Sequence, residues 1–140
     1  MAQDLTSGQR SKPKKMQYYH IEDGVNEAVF KDYLSVSKRI LVVCIESAEC
    51  VRSRLVGRWQ VFTLNAESGL MVPLNMFRLV GGRPKARLFK TGEGLSCYLL
   101  GLGVRVIVSP VRKGDGVEID LEGAVSHHSG VILRRRDGES

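Results

Sequence analysis

The sequence predicts an α+β, β-dominated fold: a small sandwich or partly open barrel of about seven short strands with one N-terminal helix. Three observations lead there. Apolar and β-branched runs of strand length recur from Ile40 onward. Turn residues separate them, above all Asn65 to Gly69 and Lys113-Gly114-Asp115-Gly116. Only Val25 to Ser37 shows a helical repeat. At 140 residues and 43% hydrophobic, the chain has material for one core.

Residues 1–16 read as a disordered basic tail, because Arg10, Lys12, Lys14 and Lys15 gather there with almost nothing to bury. The globular domain is expected over 17–136, with a short tail over 137–140. Gln17 to Ile21 reads as a short strand. In the helix, Val25, Val29, Tyr33 and Val36 stack on one face, with Asp23 or Asn26 as cap and Lys38 and Arg39 at the C-terminal end. Ile40 to Glu46 reads as a central strand buried on both faces. Arg58 to Leu64 should place Trp59, Val61 and Thr63 on one face and Gln60, Phe62 and Leu64 on the other.

Leu70 to Val80 is apolar, but Pro73 demotes it to an edge or a bulge. Pro84 to Phe89 alternates, with Lys85 and Arg87 out and Ala86 and Leu88 in, and Leu95 to Leu100 reads as one more strand. A hairpin is expected to pair Val104, Val106 and Val108 with Val117, Ile119 and Leu121 across the Asp115-Gly116 turn. That leaves Glu118, Asp120 and Glu122 as an acidic face, with Arg105 opposite. A last strand runs from Gly130 to Leu133, ahead of Arg134-Arg135-Arg136.

Several classes of chemistry find no support. No apolar run approaches the ~18 residues of a spanning helix, and the polar, basic N-terminus does not read as a secretory signal. An intracellular, soluble protein is expected, in cytoplasm or nucleus. The three cysteines, Cys44, Cys50 and Cys97, form no even disulfide set. Cys44-x5-Cys50 and His127-His128 lack zinc spacing, so neither metal nor cofactor is expected. There is no nucleophile elbow, Walker loop or dinucleotide fingerprint. Lys90-Thr-Gly-Glu-Gly94 can form an anion nest but reads as a turn. Ser126-His127-His128-Ser129 holds hydroxyls and imidazoles, yet strand neighbours point to opposite faces. The expectation is therefore no enzyme.

Charge carries more. The net charge is +6. Between Cys50 and Gly92 the cations are Arg52, Arg54, Arg58, Arg78, Arg83, Lys85, Arg87 and Lys90, against the single acid Glu67. Guanidinium forks grip phosphate oxygens, and Gly81-Gly82 lets the backbone approach a ligand just before Arg83. Arg52, Arg54, Arg58, Arg83, Lys85, Arg87 and Lys90 are thus the expected contacts to an anionic partner, nucleic acid first, with the Arg10, Lys12, Lys14 and Lys15 tail adding affinity. The alternative is a self-assembling structural protein, laid out like a viral coat or matrix protein, whose acidic face docks on a neighbour's basic one.

Gly103-Val-Arg-Val-Ile-Val-Ser-Pro110, with Asp115-Gly-Val-Glu-Ile-Asp-Leu121 and Val125-Ser126, resembles a strand pair in the C-terminal domain of secretins. The resemblance implies a hairpin within an assembling segment and carries no functional residue across. Arg54-Leu-Val-Gly-Arg58 is similar to the Arg-x-x-x-Arg element of PilZ cyclic-dinucleotide receptors. The second PilZ motif is not matched, since Asn65-Ala-Glu-Ser-Gly69 comes too early and in the wrong order.

Overall fold

The computed structural model describes residues 16–77 and 79–135. Its element order is β1 (Gln17–Ile21), α1 (Glu27–Ser37), β2 (Arg39–Val51), β3 (Arg54–Asn65), β4 (Leu70–Pro73), β5 (Phe89–Thr91), α2 (Gly92–Leu102), β6 (Gly116–Asp120), β7 (Val125–His128) and β8 (Val131–Arg135). The strands form one eight-stranded sheet in the order β7-β6-β2-β3-β4-β1-β8, with β5 on β3 beside β4. The sheet curls into a half-barrel, so the expected β-dominated α+β class holds.

The two faces of the sheet build two apolar clusters. Ile40, Val42, Cys44, Trp59, Val61, Val117 and Ile119 meet Phe30 and Leu34 of α1 and Leu95 and Leu99 of α2. Leu41, Val43, Phe62 and Met71 point into the curl, against Tyr19, Ile21, Val131 and Leu133 from its other end. Alternation along β2 supplies both clusters at once, as expected of a strand buried on both faces. The curl brings β8 back to the start of β6. Val131 N–H donates to Gly114 O at 2.6 Å, and a methyl on Gly116 would stand 2.7 Å from Val131 Cγ2.

Helix α1 is capped by Asn26, whose side chain accepts from Val29 N–H, and closed by Lys38 in the left-handed region at φ 60°. Its buried residues are Phe30 and Leu34, so the expected stripe is rotated: Val36 is 70% exposed. β4 is not an edge, since it pairs with both β3 and β1; Pro73 ends the strand instead.

Leu95 to Leu100 lies in a helix rather than a strand. Thr91 caps α2 by accepting from Gly94 N–H, Glu93 sits in its first turn, and Gly103, at φ 96°, closes it. Leu95, Leu99 and Leu102 recur at helical steps on the face turned to the sheet. Pro84 to Phe89 keeps its in-and-out alternation, but only Phe89 enters a regular strand.

The Val104–Val108 hairpin does not form, and the secretin-like strand pair goes with it. β6 is already bonded on both edges, to β2 at Val117↔Val42 and to β7 at Val117↔His127. No edge remains for residues 104–108, which run as irregular chain with Val106 and Ile107 exposed. That segment is tied down by Trp59, whose indole N–H donates to Pro110 O at 2.7 Å.

Candidate functional site

Between β4 and β5 the chain leaves the sheet as an arm, described over residues 75–77 and 79–88. β4 pairs with β3 at Phe62 to Asn65 and β5 pairs at Val56 to Trp59, so the arm is rooted beside Gln60. It is an irregular two-stranded ribbon. Leu74 O accepts from Arg87 N–H at 2.9 Å, Lys85 O accepts from Met76 N–H at 2.8 Å, and Val80 and Arg83 exchange both backbone bonds at 2.9 and 3.1 Å. Gly81 and Gly82, at φ 62° and 77°, make its tip. Two successive positive-φ residues are the hairpin turn whose twist matches paired strands, and glycine adopts it without strain.

The arm carries three of the expected contacts. Arg83 and Lys85 are exposed, and neither has a carboxylate within ion-pair distance among the described residues. The Arg87 guanidinium lies 4.6 Å from the Phe89 ring centroid and 5.1 Å from that of Tyr98. This stack pins the root of the arm to α2 while the guanidinium keeps its charge. Burial, and then the negative charge of Glu27, push the Tyr98 phenol up to about 12.

Lys90 and Arg58 flank the root. Trp59 and Phe89 are directly paired and face the helices, so the neighbouring Lys90 and Arg58 share the opposite side. Arg58 Nε bonds Glu46 Oε1 at 3.2 Å, and Arg54 Nη2 lies 3.9 Å from Glu93 Oε1. Arg52 occupies the β2–β3 turn at φ 53°, away from the arm's root. The seven expected cations thus divide. Arg83, Lys85, Arg87, Lys90 and Arg58 gather at the arm, while Arg52 and Arg54 sit toward the far end of the hairpin. Folding also brings Glu46, Glu49 and Glu93 among them, acids just outside the basic stretch in sequence. Arg10, Lys12, Lys14 and Lys15 lie outside the described residues, as does Arg78.

Two features escaped sequence reasoning. Beneath the arm is a cleft of about 640 Å³, lined among others by Ile21, Asp23, Asn75, Arg83 and Arg135. Arg135 pairs with Asp23 at 2.6 Å, which leaves Arg83 as its cation without an acid partner. The tip itself is apolar: Phe77 is fully exposed, Leu79 is 64% exposed, and Met76 and Val80 are open as well. The signal for it is the apolar run beyond Pro73, which the sequence pattern assigns to an edge strand or a bulge. On the outer side of the parallel β1–β8 pair, Arg134 lies 5.0 Å over the exposed Tyr18 ring.

The acidic face is partly consumed within the fold. Glu118 points into the curl, accepts from the Tyr19 hydroxyl and lies 3.6 Å from His128 Nε2. Burial first, and then Glu118, hold the Tyr19 phenol well above its ordinary value. Asp120 accepts from Glu122 N–H at 2.6 Å in its own turn. Arg105 makes no ion pair among the described residues. His127 sits 3.6 Å from Asp115, on a different carboxylate from His128, and no hydroxyl among the described residues bonds to either imidazole. No helix among the described residues is long and apolar enough to cross a membrane. No protein-family profile, curated protein or solved structure matches this chain.

Proposed function

We propose that the domain is a non-enzymatic binding module for a polyanion, nucleic acid first, and that the 75–88 arm and its root make the contact. The observation that carries this reading is the group of cations without acid partners that the fold gathers at the arm and its root. At the arm and its root, Arg83, Lys85 and Lys90 are exposed and have no carboxylate within ion-pair distance among the described residues; Arg52, unpaired as well, lies at the far turn and is not part of that group. Such a cation meets a phosphate without first breaking an internal pair, and each phosphate neutralised releases counterions. Arg54 and Arg58 must first exchange a carboxylate for phosphate, so they contribute less. The basic N-terminal residues Arg10, Lys12, Lys14 and Lys15 extend the same charge along the chain.

The test is fluorescence anisotropy of labelled duplex and single-stranded oligonucleotides, titrated over a range of salt. On duplex, the Arg83→Ala/Lys85→Ala/Lys90→Ala variant is expected to flatten the plot of log affinity against log salt by about 2–3 units. An unchanged slope would exclude the arm from the contact. Head-to-tail self-assembly gains no support, because Glu118 and Asp120 are engaged within the chain.

A further inference from the structure

Resting on the nucleic-acid reading above, the geometry points to a specific mode of contact: the arm enters a duplex groove and Phe77 wedges between base steps. The first ground is shape. Two-stranded ribbons enter either groove of DNA, the minor groove being the one from which apolar wedges unstack bases, and this ribbon ends in two glycines with no side chains to widen it. Backbone bonds hold it at Leu74, at Met76 and at the Val80–Arg83 turn, on either side of Phe77.

The second ground is the placement of apolar and cationic groups. Phe77 is exposed over its whole surface and packs on nothing, with Leu79 open beside it. An apolar side chain pushed between bases, partly unstacking them, is a recurrent device of proteins that bend DNA. Arg83 stands directly across the ribbon from Val80, next to the Gly81-Gly82 turn and so nearer the tip than Phe77. In a groove, phosphates flank the ribbon on both sides, so a cation at that depth has a partner. In a bilayer the same insertion would carry Arg83 toward the acyl region, where a charge is costly. The position of Arg83 therefore favours a nucleic-acid duplex over a lipid surface.

The experiment uses the full chain with a duplex containing 2-aminopurine, whose fluorescence rises on unstacking, alongside vesicles of phosphatidylcholine and phosphatidylserine. The wild type should bind the duplex with a rise in fluorescence. Phe77→Ala should abolish the rise and weaken binding about five- to tenfold, with the salt slope unchanged. Because Phe77 buries nothing, its melting curve should match that of the wild type. Duplex binding without a rise, or a rise that survives Phe77→Ala, overturns the wedge and leaves the binding reading standing. Failure of the wild type to bind any oligonucleotide at low salt overturns both. If vesicles displace the duplex and Phe77→Ala abolishes vesicle binding, the tip seeks a bilayer and the wedge is overturned.

Discussion

Replacing Trp59 by phenylalanine tests how the irregular 103–115 segment is held to the sheet. Trp59 is fully buried between the sheet and the helices, and its indole N–H bonds the carbonyl of buried Pro110. The substitution removes about three heavy atoms from a packed site, worth about 2 kcal/mol at ~0.8 kcal/mol per buried carbon. It also strands the Pro110 carbonyl, at about 1–3 kcal/mol. The sum, about 3–5 kcal/mol, is a large share of the ~5–15 kcal/mol that stabilises a domain. With a urea dependence of about 2 kcal/mol per molar, the unfolding midpoint should fall by about 1.5–2.5 M. Far-ultraviolet circular dichroism must follow the transition, since Trp59 is the chain's single tryptophan. A fall below about 0.5 M would show that the indole bond and the ring's packing do not anchor Pro110.

Two further outcomes follow from the second helix and from the tyrosine beneath the arm. Thr91→Ala removes the acceptor for Gly94 N–H at the start of α2 and should cost about 1 kcal/mol in the same urea assay, whereas Thr91→Ser should keep most of it. In a spectrophotometric titration, subtracting the Tyr98→Phe curve from that of the wild type should leave a phenolate component near pH 12. An unfolded tyrosine ionises near ~10, so between that value and 12 the folded state keeps a proton that the unfolded state has released. The stability that Tyr98 lends is therefore full below pH ~10 and is lost as pH rises toward 12. A component centred at the ordinary value would show that the phenol is not desolvated.

What the sequence determined by itself is what local patterning encodes. Ile40 to Glu46 is apolar at every position but its last, so it had to be covered on both sides. The alternation of Trp59, Val61 and Thr63 with Gln60, Phe62 and Leu64 assigned the two faces of β3 correctly. Asp23 or Asn26 before a helical repeat marked the start of α1, and the fold takes Asn26 as the cap. The basic stretch was legible too, as a list of cations.

Tertiary structure decided the rest, because the quantities involved are competitions that no short window contains. Leu95 to Leu100 is short and apolar enough for strand or helix. Packing of Leu95 and Leu99 on the helix-side face of the sheet, in the cluster with Trp59 and Val61, goes with helix, and Thr91 and Gly103 close its ends. Val104 to Val108 has strand patterning, but β6 had spent both edges on β2 and β7, neighbours from distant parts of the chain. The same holds for charge. Whether an arginine is free depends on which carboxylate the fold brings beside it. Glu46 and Glu93 occupy Arg58 and Arg54, while Arg83 and Lys85 are carried clear of the sheet on an arm. Hydrogen bonding along a strand and periodicity along a helix are local and show in sequence; edge occupancy and ion pairing are set only when remote segments meet.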